Sequence, residues 1–302
     1  MLALLCPGQG SQKPGFMNPW LELPEFKENI GSLGELVKVD LIKHGTVSDE
    51  ETIRDTAIAQ PLIVSATVAT ANLLDLNQVD AVAGHSVGEV PAGYIAGILS
   101  ESQTMGLVQA RAQAMAKAAK LIPDTGMAAV LGGEQAEVLS KLESLGLSAA
   151  NFNGAGQIVA AGSTAAIAEL VANPAAGSKV IPLAVAGAFH TKYMVEAGNE
   201  LANYANSLEL TEPSKTIWSN QNAQKISSAE EYLKLLIGQV SNSVRWALCM
   251  TAMEKAGVNQ VIELSPAGTL AGLAKRGMSG VEIVALKSPT DLDSAKEMLA
   301  RK

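Results

Sequence analysis

Five residues, Gly84-His85-Ser86-Val87-Gly88, constrain this chain more than any others. They fit the pattern G-x-S-x-G and lie between an apolar run that predicts a strand, Val79 to Ala83, and a segment that predicts a helix, Val87 to Leu99. A strand that turns at once into a helix crowds its own bend, so small residues must flank the serine, whose backbone is strained there. Upstream, Gln60 to Leu76 carries apolar residues at helical spacing, and Leu2 to Leu5 is a short apolar run ended by Pro7, Gly8 and Gly10. Strand, helix, strand in this order implies a parallel sheet. Pro91 falls in the first turns of the predicted helix after the bend, where it forfeits a bond to the Val87 carbonyl. Thr104 to Leu121 predicts a further, Ala-rich helix that ends before Pro123.

Beyond Pro123 the pattern changes. Strands are predicted at Met127 to Leu131, Leu147 to Asn153, Gln157 to Ala161 and Lys179 to Leu183, with helices at Glu134 to Leu145 and Thr164 to Ala172. That order is the split βαβ, ferredoxin-like arrangement. From Tyr193 onward helices again alternate with short strands, at Thr216 to Ser219, Gln260 to Glu263 and Glu282 to Leu286. The expected fold class is therefore α/β: a larger, α/β-hydrolase-like domain with a parallel sheet, made of residues 1–123 and 190–302, and a ferredoxin-like small domain, residues 124–189, inserted into it.

With 302 residues, 48% hydrophobic and 17% charged, the chain has the balance of a globular protein with a sizeable core. Only 4% is aromatic, so small and aliphatic side chains must fill the interior. A net charge of -8 argues against nucleic acid, whose phosphates need a basic footprint. The opening residues carry no basic leader, and the most apolar stretch, Ala57 to Leu76, is interrupted by Gln60, Pro61, Thr67, Thr70 and Asn72, short of a membrane span of about 18 apolar residues. A cytoplasmic protein that meets no membrane and acts as a monomer is expected. Cys6 and Cys249 lie far apart in apolar contexts and are expected as buried free thiols.

Ser86 has two readings. It caps the following helix, or it is a nucleophile whose developing oxyanion meets the amide of Val87 at the positive end of that helix. A serine hydroxyl needs a base, and histidine is the usual one. Of the three histidines, His44 lies in a polar stretch and His85 is directed away from the serine by its position beside it. His190, after the small apolar run Val185-Ala186-Gly187-Ala188-Phe189, remains. An orienting acid for that base would be sought among Glu89, Glu101, Asp124, Glu134, Glu137, Glu143 and Glu169; none stands out, most belong to helix surfaces or turns, and a backbone carbonyl is an alternative. Arg111 lies among Val108, Ala110, Ala112 and Ala114, where a guanidinium makes an internal ion pair or receives the free carboxylate of a diacid acyl group. Gly8-Gln9-Gly10-Ser11-Gln12 lacks the endings of a nucleotide loop, and its amides could complete an oxyanion hole.

Taken together, GQGSQ after the first strand, Ala59-Gln60-Pro61, GHSxGE at Gly84 to Glu89, Arg111, Asn151-Phe152-Asn153 with Gly156-Gln157, and Ala188-Phe189-His190 resemble, in order and over nearly the full length, the malonyl-CoA:acyl carrier protein transacylases of fatty acid synthesis. The resemblance implies Ser86 as nucleophile, His190 as base, Arg111 as clamp on the malonyl carboxylate, the amides of Gln9 and Val87 as oxyanion donors, and the backbone carbonyl of Gln239 as the group that holds the histidine. Phe189 matches the malonyl-selective version of the family, and Asn153 joins the substrate-binding set. The implied partners are malonyl-CoA, CoA and acyl carrier protein, with no metal or bound cofactor. Val87 stands where leucine is more usual, Ser243 where proline is common, and Pro91 is unusual in the helix after the serine. The rival expectations are a serine hydrolase such as a thioesterase, an acyltransferase of a polyketide pathway, and a catalytically silent docking module. Because carrier and chain are both expected to be acidic, docking needs a local basic patch, for which Lys117, Lys120, Lys275 and Arg276 are the candidates.

Overall fold

The computed structural model describes residues 1–301. Its strands, in chain order, are β1 (Leu2–Cys6), β2 (Ala81–Gly84), β3 (Thr125–Gly132), β4 (Ser148–Gly154), β5 (Gln157–Ser163), β6 (Ser178–Leu183), β7 (Thr216–Ile217), β8 (Gln260–Glu263) and β9 (Glu282–Ala285). One sheet has the order β7-β2-β1-β8-β9, and all its pairings are parallel. The other has the order β4-β5-β3-β6 and is antiparallel. The fold is thus mixed α/β, a parallel sheet with a small antiparallel one.

β1 and β2 are buried along their whole length, as central parallel strands covered on both faces must be. Alternation then sorts their side chains between two clusters. Leu2, Leu4, Cys6 and Val82 join the core under the Thr56–Ala71, Glu89–Ile95 and Glu101–Leu121 helices. Ala3, Leu5, Ala81 and Ala83 face Trp246, Met250 and Leu273 of the Trp246–Lys255 and Thr269–Gly277 helices. Both cysteines are buried and free.

Where helix ends depart from the sequence expectation, a cap is responsible. The helix expected from Gln60 begins at Thr56, because the Asp55 side chain accepts from the Ala57 amide, and it ends at Ala71; Leu76 belongs to a separate 3-10 turn capped by Asp75. The helix expected from Thr104 begins at Glu101, fixed by a capping box of Ser100 and Gln103 that satisfies amides the first turn leaves open. The segment expected as one helix from Val87 to Leu99 is a 3-10 turn, Ser86–Gly88, followed by an α-helix, Glu89–Ile95. Pro91 is the third residue of the α-helix, within its first turn, where a proline is tolerated better than in a helix interior. The Pro24–Val37 helix was not anticipated, although Phe26, Ile30, Leu33 and Val37 are buried at helical spacing. The small sheet follows the expected order, with β3 flanked by β5 and β6. Pairing of Met127 with Leu183 brings side chains from β3 and β6 to a shared cleft with Ser86.

Candidate active site

The bend after β2 is built from steric necessity. A Cβ at Gly84 would lie 2.0 Å from the carbonyl of Gly88, and one at Gly88 would lie 2.1 Å from the Cys6 oxygen, so neither position admits a side chain. Between them Ser86 takes a left-handed φ of 54°, a conformation that costs of order 1–3 kcal/mol in a non-glycine residue and persists only when its surroundings enforce it. Part of the enforcement comes from Asn220, in the loop that follows the neighbouring β7: its Oδ1 accepts from the Ser86 amide at 2.7 Å, and its Nδ2 donates to the Gly84 carbonyl at 2.6 Å.

Ser86 Oγ lies 2.7 Å from His190 Nε2. The histidine too has a left-handed φ, 60°, and is buried. Its Nδ1 lies 2.8 Å from the backbone oxygen of Gln239; a carbonyl only accepts, so Nδ1 carries the proton and Nε2 presents its lone pair to the serine hydroxyl. Burial first, and then the positive charge of Arg111, push the imidazole down to about 3, so the ring is neutral near neutral pH and able to take a proton. The expected alternative of a backbone carbonyl in place of an orienting acid is the geometry found. His85 is engaged elsewhere: its Nε2 is 2.9 Å from Asn153 Oδ1, and its ring packs edge-on against Trp246.

Arg111 is buried, with 1% exposure. Its Nη1 donates to Gln60 Oε1 at 2.6 Å and its Nη2 to Gln239 Oε1 at 2.7 Å, while Nη2 lies 3.5 Å from Ser86 Oγ. Among the described residues no carboxylate forms a salt bridge with it, and its Nε has no partner. The internal ion pair left open by the sequence is therefore not what holds this guanidinium; two neutral amides are. Burial lowers it to about 10, opposed by the nearby Glu89 carboxyl, which makes no direct contact with it, and this leaves it charged near neutral pH. A buried cation held by neutral amides beside a serine is suited to meet an anion delivered by a substrate.

These groups open onto a cleft of about 440 Å³, lined by Gln9, Ser86, Arg111, Asn153, Phe189 and His190 and, from the small sheet, by Met127, Ala129 and Leu183. Gln9 is anchored by its Nε2, which donates to Thr56 Oγ1 at 3.2 Å. Val87 and Gln239 are fully buried behind the cleft. Among the described residues no group of three or more His, Cys, Asp or Glu side chains is placed to hold a metal ion, and no helix is long and apolar enough to cross a membrane. Of the candidate basic patch, Lys120, Lys275 and Arg276 are exposed, whereas Lys117 is paired with Glu200.

Two residues of this constellation were not singled out by the sequence: Glu89 was one of seven acids among which none stood out, and Asn220 was not named. Glu89 is not on a helix surface but 3% exposed. Its Oε1 accepts from the Asn220 amide at 2.6 Å, and its Oε2 accepts from Gln239 Nε2. Burial pushes the carboxyl up to about 8, against the smaller opposing pull of the Asn220 amide, Arg111 and Gln239; yet each oxygen meets an N–H donor, an arrangement that a carboxylate fits and a protonated acid does not. The apolar Val90-Pro91-Ala92 after it was the available signal. Asn220 follows a short strand, and its place at a carboxyl end of a parallel sheet, where ligands bind in open α/β folds, was the cue.

Residues 3–290 match the family model described as the acyl transferase domain. The chain is 45% identical over 298 residues to the malonyl CoA-acyl carrier protein transacylase of Mycobacterium bovis, covering 97% of this chain and 98% of that protein. Its structure is similar to the crystal structure of MCAT from Mycobacterium tuberculosis, with a TM-score of 0.93 and 44% identity over 97% of this chain and 99% of the other. It is also similar to a malonyl-transacylase solved in complex with a type II polyketide synthase acyl carrier protein, with a TM-score of 0.91 and 27% identity over 98% and 99% of the two chains.

Proposed function

We propose, from the premise that this chain belongs to the acyl transferase domain family with the malonyl CoA-acyl carrier protein transacylases among its relatives, that it moves a malonyl group from malonyl-CoA to the phosphopantetheine thiol of an acyl carrier protein. The observation that carries the choice of acyl group is the buried Arg111, held by neutral amides within 3.5 Å of Ser86 Oγ. Ser86 attacks the thioester carbonyl as His190 Nε2 takes its proton; the Gln239 carbonyl holds the Nδ1–H of the imidazolium. The amides of Gln9 and Val87 receive the oxyanion. The C–S bond breaks, His190 returns the proton to the departing CoA thiolate, and a malonyl ester remains on Ser86. In the second half the carrier thiol gives its proton to His190 and attacks the ester, and Ser86 leaves as the hydroxyl.

Arg111 selects the substrate because an acyl chain without a distal carboxylate would leave the guanidinium desolvated and unanswered. Phe189 and Asn153 border the acyl and pantetheine path. The parallel-sheet part, residues 1–123 and 190–302, acts as an α/β-hydrolase-like catalytic domain, and residues 124–189 as a ferredoxin-like insert that roofs the cleft. The protein works as a cytoplasmic monomer, and Lys120, Lys275 and Arg276 guide the acidic carrier. Intact-mass measurement after mixing with malonyl-CoA tests the reading: a malonyl adduct that persists until carrier is added and is absent in Ser86→Ala supports it. Rapid release of free malonate without carrier would make the protein a hydrolase.

A further inference from the structure

We infer that Glu89 is a positioning residue for acyl-group selection: its carboxylate fixes which way round the Gln239 amide sits and so aims the Arg111 guanidinium. The inference rests on the malonyl-transfer reading and deepens it. A glutamine amide has nearly the same shape with its oxygen and nitrogen exchanged, so its sense is set by its partners. At Gln239 the Nε2 side faces the Ser86 carbonyl at 2.9 Å, Asn220 Oδ1 at 3.2 Å and Glu89 Oε2, while the Oε1 side accepts from Arg111. Glu89 is the only charged acceptor among these. Exchanging the two ends would set an amide oxygen against a carboxylate and an NH₂ group against a guanidinium, both buried, where unmatched polar contacts are most costly.

The second oxygen makes Glu89 a hub. It accepts from the Asn220 backbone amide, and the Asn220 side chain in turn holds the Ser86 amide. The same glutamine that receives Glu89 also supplies the backbone oxygen for His190. One carboxylate therefore stands behind both the serine bend and the guanidinium, without touching the cleft itself.

Glu89→Gln separates the two arms. The Asn220 amide is a fixed backbone donor and claims the new oxygen, so the new NH₂ group is left facing Gln239 Nε2; the Asn220 arm is kept and the Gln239 arm is broken. Steady-state acylation of Ser86 is measured with malonyl-CoA and acetyl-CoA in wild type and variant, with thermal melting alongside. The malonyl-to-acetyl ratio of kcat/KM is expected to fall about tenfold, through a raised KM for malonyl-CoA, with acetyl-CoA kcat/KM within about twofold of wild type. A proportional loss with both substrates, an unchanged or increased ratio, or failure of the variant to fold would each overturn the inference by assigning Glu89 a purely structural part. Absence of any malonyl preference in the wild type would instead sink the malonyl-transfer reading.

Discussion

Side-chain chemistry in this protein is governed by burial. Desolvation and the Arg111 charge hold the His190 imidazole down at about 3 against an ordinary value of 6.5. Serine acylation that depends on the neutral ring is therefore expected to stay level from about pH 8 down to about pH 5, with no inflection at the usual histidine value. A pH profile of adduct formation checks this, and a step near 6.5 would mean that the ring is solvated. The same depression bears on stability: the unfolded chain binds the proton first, so stability present above 6.5 drains away as the pH falls towards 3. Removing the guanidinium in Arg111→Ala is expected to lower malonyl kcat/KM by roughly 10- to 100-fold, the worth of one or two charged hydrogen bonds, and to narrow the malonyl-to-acetyl ratio; an unaltered ratio would refute the clamp. Ser86, His190 and Arg111, which the structure gathers at one site, were legible because serine in G-x-S-x-G, a histidine left by elimination and a cation in an apolar run are each chemically odd where they stand. Glu89 was not, since an acid in the first turn of a helix is also what the helix dipole favours, and only packing reveals that it is buried.

Helices and strands take their ends from local chemistry that hydrophobic spacing does not report. The Glu101–Leu121 helix that carries Arg111 starts at the Ser100 capping box, three residues before the apolar pattern begins at Thr104. Ser100→Ala is expected to cost about 1 kcal/mol of stability and to leave the malonyl-to-acetyl ratio intact, because the cap lies three turns from Arg111; thermal melts with paired kinetics would show it. Gly88→Ala should behave differently. Its new Cβ would approach the Cys6 oxygen to 2.1 Å, a backbone atom of a central strand that has no room to yield. The variant is expected to melt lower and lose adduct formation together, since the turn holding Ser86 must move; a fully active, equally stable Gly88→Ala would contradict the close packing of the bend against β1. The glycine pattern was readable in the sequence. The split of the expected single helix into a 3-10 turn and an α-helix was not, because both share the same apolar residues.

At the scale of the whole molecule, the sequence gives element order but not adjacency. β1 lies between β2 and β8, one partner a quarter of the chain away and the other near its far end, and side chains of β3 and β6 from the small sheet share the lining of the cleft with Ser86. Long-range electrostatics also acts at this scale. A chain of net charge -8 repels an acidic carrier unless a local field of opposite sign outweighs the total, and such fields act chiefly on encounter. Lys117 is paired with Glu200, and the proposed guide is Lys120, Lys275 and Arg276. Reversing these three to glutamate is expected to raise the KM for carrier several-fold, with the effect shrinking as salt is added because exposed charges are screened within about 10 Å at 0.1 M. Acylation of Ser86 by malonyl-CoA, which precedes the carrier's arrival, should be unaffected. Equal carrier kinetics in variant and wild type at low salt would discard this surface, and a matching loss in the acylation half would place the charges at the cleft itself and not on the carrier's path.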